Sequence, residues 1–265
     1  MKLLMCSPDF YDVVYEINPW MNRSLNIAHT LAKAQWQHLT QTLKACGADI
    51  ELVTAIPGWP DMVFTANAGL LYNKKMVLAH FRYKERQGET PYFKEWFNNA
   101  GFTVIADSTV EPQLPYFEGA GDALLAGDKL FAAYGFRSER RFYTDTTYFD
   151  QNKLVLCELI DPYFYHLDTC FCPLNEHQAI WYPAAFSPAS QISMTAQLEL
   201  FAVEEDEAKR FACTAVVLDT QVVMAANCPK TAALLQGLGF TTHGCDMSEY
   251  IKAGGSCKCL TLQLD

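Results

Sequence analysis

The sequence has few basic residues, and they are scattered rather than clustered. Lysine and arginine number 20 against 30 aspartates and glutamates, which gives a formal net charge of −10. A protein that binds nucleic acid needs lysines and arginines gathered against the phosphates, so no nucleic-acid partner is predicted. An acidic chain can favour a cationic small substrate, although ordinary solubility is the simpler explanation of the charge.

Long apolar runs are also absent. No segment approaches the length that a membrane-spanning helix requires, and the N-terminal stretch MKLLMCSPDF is too short for the apolar region of a signal peptide. We therefore expect a cytoplasmic protein without a membrane partner, whose ten cysteines are reduced thiols. The close pairs Cys170/Cys172 and Cys257/Cys259 are spaced C-x-C rather than C-x₂-C, so no bound metal is predicted.

No linker rich in proline, glycine or serine divides the chain. The 265 residues, half of them hydrophobic, are enough for a sizeable core, and we predict a single α/β domain over residues 1–265. A soft internal repeat runs through it, because four segments read as apolar run, short polar turn, apolar run. They are LLYNKKMVLAHF, ALLAGDKLFAAYGF, CFCPLNEHQAIWYP and AVVLDTQVVMAA. Each predicts a β-hairpin, and a recurrence of roughly 45 to 55 residues suggests repeated modules.

Helical patterns fall between the hairpins. Ser24 is predicted to cap a helix that ends at Gly47, and Thr90 opens a second helix that ends before Gly101. Residues 187–212 predict two helices, residues 231–238 a short helix, and residues 248–253 a shorter one. Modules of this kind arranged in a ring would bring the loops that lead into their hairpins to one centre.

Polar residues stand in those loops, immediately before apolar strands. They are Asn67, Glu118, Asp122, His166 and Asp168. His166 and Asp168 would face the same way in an extended segment, as a proton shuttle and a carboxylate should. Glu118 and Asp122 flank the glycines of EGAGD; a buried carboxylate there is costly unless paired, and a cationic ligand would pair it. An ordinary acidic turn is the alternative.

The C-terminal stretch AGGSCKC raises the question of what its two cysteines do. Spacing alone favours a core thiol, leaves a nucleophile open and makes a metal ligand least favoured. The glycines Gly254 and Gly255 permit tight turns and let a substrate approach the backbone. A thiol at such a junction, beside Lys258, is better placed for activation than one in the middle of a strand.

Further candidates lie in other loops and after the first strands of the modules. They are Asp61, Phe64, Asn18, Arg82, Arg137 and Arg140. Arginine suits a bidentate grip on a substrate carboxylate, although each could be a surface charge. Asn18 precedes a proline, so a simple Asx turn is the alternative there.

Taken together, the motifs PDMVFTANAG, FEGAGD, GFRSERR, HLDT and GGSCKC resemble those of the guanidino-group modifying enzymes, in the same order and across most of the chain. That superfamily includes arginine deiminases, dimethylarginine dimethylaminohydrolases, amidinotransferases and arginine dihydrolases. The resemblance implies the pentein fold, a five-bladed α/β propeller of ββαβ-type modules around a central pocket. It also implies a small cationic guanidino substrate and no cofactor or metal.

The resemblance assigns roles to the candidates. Cys259 matches the nucleophile that follows the glycine pair, and Cys257 is left as a neighbour. His166 matches the general acid/base, while Glu118 and Asp168 match the carboxylates that hold the guanidinium. Asp61 matches a position that takes the α-amino group. Arg140, and as further candidates Arg137 and Arg82, match the arginines that hold the substrate carboxylate.

At one position the chain differs from two of these enzyme classes, and the difference indicates which reaction it catalyses. Deiminases and dimethylarginine hydrolases carry a loop carboxylate where this chain has Asn67. The chain instead looks like the arginine dihydrolase branch, in which asparagines occupy this loop and the INPW loop that holds Asn18. A dihydrolase must also bind neutral citrulline, and an amide can donate to its urea oxygen. The alternatives are a hydrolase that stops at citrulline, an amidinotransferase and, most distantly, a non-enzymatic binding protein. A homo-oligomer is compatible with the sequence.

Overall fold

The structure, a computed structural model, describes residues 1–265. Fifteen strands are distributed along the whole chain. They are β1 (Lys2–Cys6), β2 (Asp49–Val53), β3 (Gly69–Tyr72), β4 (Lys75–Leu78), β5 (Thr103–Ile105), β6 (Ala123–Ala126), β7 (Lys129–Tyr134), β8 (Leu154–Glu158), β9 (Phe171–Pro173), β10 (Gln178–Trp181), β11 (Glu199–Ala202), β12 (Val216–Leu218), β13 (Gln221–Ala225), β14 (Thr241–Cys245) and β15 (Leu262–Gln263).

Eight α-helices connect them, and four of these span only one turn or slightly more. They are α1 (His29–Ala45), α2 (Lys84–Gln87), α3 (Thr90–Asn99), α4 (Arg140–Thr144), α5 (Pro188–Thr195), α6 (Glu205–Ala208), α7 (Pro229–Gly237) and α8 (Ser248–Ile251). Crossing a membrane takes a long apolar helix, and the structure contains none.

The strands form five sheets of three strands each. Their orders are β3-β4-β5, β6-β7-β8, β9-β10-β11, β12-β13-β14 and β15-β1-β2. In every sheet the middle strand pairs antiparallel with the first and parallel with the third. Residues of β3, β6, β9, β12 and β15 together line one cavity of about 250 Å³, so the first strands surround a common axis. The predicted pentein fold is confirmed.

The four predicted hairpins are all present, as β3-β4, β6-β7, β9-β10 and β12-β13. The third strand of each sheet was not predicted. These strands are three to five residues long and, except for β8 and the last residues of β2 and β14, largely exposed or half-buried. Residues 187–212 therefore contain β11 between α5 and α6, rather than two helices alone.

The first helix begins later than predicted. Ser24 does not cap it, since its hydroxyl donates to Asn22, and α1 starts at His29. The backbone N–H of Ala28, before the helix, donates instead to the Glu249 carboxylate at 2.9 Å. This partner lies over 200 residues away in sequence, so no local pattern could reveal it.

The apolar run that begins at Cys259 does not become a strand at once. Lys258–Leu260 form one turn of 3₁₀ helix, and β15 starts at Leu262. Strand β15 then pairs antiparallel with β1, which closes the ring between the two ends of the chain. Cys259 is thereby held on a turn that leads into the innermost strand of the fifth module.

Candidate active site

Short 3₁₀ turns lead into four of the five inner strands. They comprise Thr65–Ala68 before β3, Gly119–Gly121 before β6, Leu167–Thr169 before β9 and Lys258–Leu260 before β15. The turn before β3 packs against the turns before β6 and β15, and the turns before β6 and β9 pack on each other. Each turn carries or adjoins predicted site residues, so the ring of modules assembles those residues from distant parts of the sequence.

Glu118 lies at the centre of a buried hydrogen-bond network. Its Oε2 accepts from His166 Nε2 and from Arg137 Nη1, each at 2.8 Å, and its Oε1 accepts from the backbone N–H of Arg82 at 3.2 Å. Burial alone would raise the pKa of Glu118, but Arg137 and His166 outweigh burial and hold that pKa well below its usual range. Glu118 is therefore an ionised carboxylate that orients the imidazole of His166.

Cys259 has a different carboxylate neighbour. Cys259 is 5% exposed, and burial followed by the charge of Asp168 raises the pKa of its thiol well above the usual value. Asp168 is fully buried, and neither of its carboxylate oxygens has a hydrogen-bond partner in the protein. Burial raises the pKa of Asp168 to about 7, with Lys258 opposing the shift. A buried carboxylate without a partner is costly, and a cationic ligand would offset that cost.

Cys257, the other cysteine of the motif, faces the core. It is fully buried and packs in an apolar cluster beside Cys245. The two cysteines therefore have different surroundings, and only Cys259 adjoins Asp168. Cys170 and Cys172 are buried in another cluster. No group of three or more histidine, cysteine or acidic side chains is arranged to hold a metal ion.

The glycine pair is required by close packing. A Cβ at Gly255 would lie 2.4 Å from the ring of Phe64, which is itself buried, and Gly254 has a φ of +82°. The carbonyl of Gly254 accepts from the hydroxyl of Tyr165 at 2.7 Å. Phe64 and Tyr165 thus fix the course of the loop that leads to Cys259.

Asn18 lies beside this loop. Its Nδ2 donates to the carbonyl of Ala253 at 3.0 Å, and its Oδ1 accepts from the backbone N–H groups of Trp20 and Met21. The amide therefore forms the Asx-type turn that was the alternative reading. It also ties the N-terminal loop to the chain just before Gly254.

Asp61 and Asn67 flank Phe64 and are both buried. Asp61 Oδ1 has no partner, and its Oδ2 lies 3.9 Å from Arg86 Nε. Asn67 Oδ1 accepts from Arg86 Nη1 at 2.8 Å, and its Nδ2 is 3.4 Å from the backbone oxygen of Glu118. The loop before β3 thus shares contacts with both Arg86 and the Glu118 loop.

Of the three predicted arginines, the structure brings two to Glu118. Arg137 is buried between the rings of Tyr83 and Tyr165 and also donates to the carbonyl of Ile17 at 3.0 Å. Arg82 Nε donates to the carbonyl of Arg137 at 2.9 Å. Arg140, the first candidate for the substrate carboxylate, is exposed at the first residue of α4, and its side chain makes no hydrogen bond or ion pair.

Asp122 connects two loops of the site. Its Oδ2 accepts from the N–H and hydroxyl of Ser138, at 3.0 Å and 2.6 Å, and its Oδ1 accepts from the N–H of Leu167 at 3.3 Å. Burial raises the pKa of Asp122 to about 6, with His166 opposing the shift. These contacts position the segment that carries His166. Both oxygens of the Asp122 carboxylate thus accept hydrogen bonds from the protein itself.

Two buried residues were not predicted. Arg86 and Glu89 form a bidentate ion pair, with Nε–Oε1 at 2.9 Å and Nη2–Oε2 at 2.8 Å. Arg86 lies in α2 and Glu89 lies just before α3, so the short spacing R-x-x-E between opposite charges is the signal that could have revealed them. Its connection to Asn67 could not be read from the sequence, because 19 residues separate Asn67 from Arg86.

Comparisons with known proteins identify the family of the chain. The family model for eukaryotic N,N-dimethylarginine dimethylhydrolase matches residues 15–264. The chain belongs to this family. Its predicted resemblance to the guanidino-group modifying enzymes is confirmed.

Two known proteins are similar in sequence to the chain over nearly its whole length. ArgZ of Synechocystis sp., a bifunctional arginine dihydrolase/ornithine cyclodeaminase, is 44% identical, with 100% of this chain and 38% of ArgZ covered. The N(G),N(G)-dimethylarginine dimethylaminohydrolase of Mycobacterium tuberculosis is 38% identical, with 99% of this chain and 85% of the relative covered. The chain thus spans little more than a third of ArgZ.

A solved structure matches over nearly its whole length. It is the N-terminal domain of ArgZ, with an asparagine-to-serine substitution and covalently bound to a reaction intermediate. The TM-score is 0.91 at 44% identity, and the match covers 100% of this chain and 97% of that domain. The chain is therefore similar to the N-terminal domain of ArgZ, rather than to the whole bifunctional protein.

Proposed function

We propose that this chain hydrolyses the guanidino group of arginine through a covalent intermediate on Cys259, and that it carries arginine through to ornithine. The observation that carries the proposal is the buried, unpartnered carboxylate of Asp168 beside the Cys259 thiol, with His166 and Glu118 in the adjoining loops. A planar cation bound there would meet a nucleophile, an acid/base and acceptors for its N–H groups.

The first half-reaction begins with the thiol. A buried thiol of high pKa is a poor nucleophile by itself, and a bound guanidinium favours its thiolate. The sulfur of Cys259 bonds to the guanidinium carbon, while one C–N bond breaks. The departing nitrogen takes the thiol proton through His166 and leaves as ammonia, so the adduct is an amidino thioether that keeps the positive charge.

Hydrolysis of the adduct follows. His166 accepts a proton from water, the water oxygen bonds to the same carbon, and the C–S bond breaks. The thiolate takes the proton back from His166, the extra proton of the cationic adduct passes to solvent, and citrulline is formed. In a second cycle the Cys259 sulfur attacks the ureido carbon of citrulline. A second ammonia leaves, and the adduct is a thiocarbamate. Water then yields a carbamate, which loses carbon dioxide to give ornithine. Glu118 orients His166 in both cycles through their 2.8 Å hydrogen bond.

Two comparisons support the choice of arginine as substrate. ArgZ is described as an arginine dihydrolase, and its N-terminal domain forms a covalent reaction intermediate. Asn67 supports the second cycle, because its amide can donate to the urea oxygen of citrulline, whereas a carboxylate would repel it. We infer that Arg137 and Arg82, which both contact Glu118, hold the substrate carboxylate, and that Asp61, whose Oδ1 has no partner, takes the α-amino group.

Hydrolysis of dimethylarginine is the second candidate. The family match and the mycobacterial relative favour it. The same attack on the guanidinium carbon would then release dimethylamine and leave citrulline. Loss of the carboxylate at position 67 argues against it as the main activity, because one charge partner for the cation is missing.

Product stoichiometry decides among these activities. The protein is incubated with L-arginine, and ammonia, citrulline and ornithine are quantified over time, with Cys259→Ser as the matched control. Two ammonia per ornithine without accumulation of citrulline supports the proposal. One ammonia per citrulline makes the chain a deiminase, and turnover of dimethylarginine alone makes it a dimethylarginine hydrolase.

A further inference from the structure

We propose that the cavity enclosed by the five inner strands is a second binding site, which takes a small monocarboxylate with an apolar body and pairs its carboxylate with Lys258. This axial cavity has a volume of about 250 Å³, and Cys259, His166 and Glu118 are not among the residues that line it. The axial cavity is thus separate from the candidate active site. The inference does not rest on the proposed function, because binding is measured without turnover.

The axial cavity opens at the end of the ring that faces away from the active site. Each of the four 3₁₀ turns that carry or adjoin the site residues precedes its inner strand, so the strands lead away from the site. Ala120 and Ala123, in and just after the turn before β6, are buried parts of the cavity wall. Leu125, farther along β6, is 43% exposed, and Gln263 at the end of β15 is exposed. A ligand can therefore enter from the far end of the ring without crossing the active site.

The wall of the axial cavity is mainly apolar. Side chains from all five modules form it, including Leu70, Leu124, Phe171, Val216 and Leu262. The charged side chains that line it are Lys258 and Asp265. An apolar cavity with few polar groups is the usual form of a small-molecule site, in which the polar groups fix the orientation of the ligand.

Lys258 forms no ion pair in the protein. Its ammonium group has three N–H donors, but it donates only one hydrogen bond, to the carbonyl of Thr261 at 3.4 Å. That distance is long for an N–H···O hydrogen bond. Burial lowers the pKa of Lys258, and the nearby Asp168 opposes the shift. A carboxylate bound against Lys258 would accept from its remaining donors and offset the cost of burying the cation.

Asp265, the other charged side chain of the wall, already has a partner. Its Oδ2 accepts from the backbone N–H of Lys2 at 2.8 Å. The charge that the axial cavity offers to a ligand is therefore the positive charge of Lys258. An anionic ligand is favoured over a cationic one, and arginine is disfavoured because its guanidinium would lie against an apolar wall.

The volume of the axial cavity limits the size of the ligand. An apolar cavity of about 150 Å³ in another protein binds benzene. A volume of about 250 Å³ therefore accommodates a ring that carries a carboxylate group. A second charged group would lie against the aliphatic wall without a partner, which is costly. The chemical class is thus an apolar monocarboxylate, and benzoate is the probe that represents it.

The first test measures benzoate binding by calorimetry in the wild type, in Lys258→Met and in the matched control Lys209→Met. Methionine keeps most of the lysine stem but removes the charge, and Lys209 is an exposed residue outside the axial cavity. We expect Lys258→Met to weaken binding by at least about tenfold, as for loss of a charge-assisted hydrogen bond, and Lys209→Met to keep it within about twofold. Equal binding in all three proteins would overturn the proposal.

A second variant tests the location of the ligand independently of Lys258, and it decides the question should Lys258→Met not fold. Leu125 lies at the open end of the axial cavity, so an indole at this partly exposed position narrows the entrance without repacking the core. We expect Leu125→Trp to weaken benzoate binding by at least about tenfold. The control is Ile192→Trp, at a 72% exposed position outside the cavity. Thermal unfolding verifies that every variant folds.

The two variants together distinguish the route of the ligand. If Lys258→Met weakens binding and Leu125→Trp does not, benzoate reaches Lys258 from the active site, and the axial cavity is not its site. That outcome would overturn the proposal, as would the absence of benzoate binding to the wild type.

Two analogues test the chemical class of the ligand. Benzamide keeps the ring and lacks the charge, whereas acetate keeps the carboxylate and lacks the ring. Each should bind the wild type at least about tenfold more weakly than benzoate, because each loses one of the two interactions. Benzamide binding as tightly as benzoate would show that Lys258 recognises no charge. Acetate binding as tightly would show that the apolar wall contributes nothing, and either result contradicts the proposal.

Discussion

The imidazole Nε2 of His166 lies 2.8 Å from the carboxylate Oε2 of Glu118, and the two residues come from loops 48 positions apart in the sequence. The same carboxylate oxygen also accepts from Arg137. One oxygen of Glu118 therefore accepts hydrogen bonds from both the imidazole and the buried guanidinium of Arg137. This arrangement and the separate position of Asp168 beside Cys259 lead to the following expectations.

Replacing Glu118 by glutamine should lower kcat by about 10²-fold, because the uncharged amide no longer stabilises His166 or neutralises Arg137. Ammonia release from arginine measures the effect, with Glu139→Gln, whose carboxylate pairs with the exposed Arg141, as control. Thermal unfolding separates loss of catalysis from loss of fold. An undiminished rate in Glu118→Gln would refute its role in the site.

The two cysteines of the C-terminal motif should behave differently. Cys259→Ser should reduce turnover at least about 10³-fold while arginine still binds, because a hydroxyl is a far weaker nucleophile than a thiolate. Cys257→Ser should keep most activity, since that side chain packs in the core beside Cys245. Calorimetric binding and ammonia release measure both. Inactivity of Cys257→Ser with an active Cys259→Ser would reverse the assignment.

Activity should rise with pH through the pKa of Asp168. Burial raises this pKa to about 7, and only the ionised carboxylate attracts a guanidinium. In a pH profile of kcat/KM, the acidic limb should therefore have its midpoint near 7. Asp168→Asn should lower kcat/KM and remove that limb. If the limb persists unchanged in this variant, another group controls it.

The same carboxylate should make stability depend on pH. Its pKa is about 7 in the folded protein against an ordinary 3.8, so the folded state holds a proton that the unfolded chain has lost between these values. The Asp168 contribution to the free energy of unfolding therefore falls as pH rises through this range. Urea denaturation at pH 5 and pH 8 should show a smaller fall in Asp168→Asn. An equal fall in both proteins would contradict this.

Gly121 should be essential for catalysis because of close packing. A Cβ there would lie 2.2 Å from Asn67 Nδ2, so Gly121→Ala must displace the amide beside His166. We expect about a tenfold or larger loss in kcat/KM, since small displacements near reacting groups are costly. Gly237→Ala is the control, because a Cβ there meets no atom within 4 Å. Equal activities of the two variants would show that the site tolerates the shift.

Local patterns were sufficient for the hairpins. Alternation of apolar residues predicts their strands, and the turn residues Asn73, Lys74 and Asp219 adopt the positive φ that two-residue turns use. The motifs likewise indicated candidate side chains for the site, including Cys259, His166 and Glu118. Such features depend on residues near one another in the chain, so sequence reasoning could reach them.

The remaining features depend on distant partners. The short parallel strands β2, β5, β8, β11 and β14 pair with strands that a helix-containing connection separates from them, and their own patterns are too brief to identify them. The start of α1 depends on Glu249, and the turn that carries Cys259 depends on closure of β15 against β1.

The sequence by itself thus determined the modular α/β architecture, the family and most of the candidate side chains of the site. The tertiary structure decided which carboxylate meets which partner. It placed Glu118 with His166 and Arg137, left Asp168 beside Cys259 without a protein donor, and set Arg86 against Asn67. The physical reason is that a hydrogen bond requires contact within a few ångströms, and ring closure alone brings these loops that close.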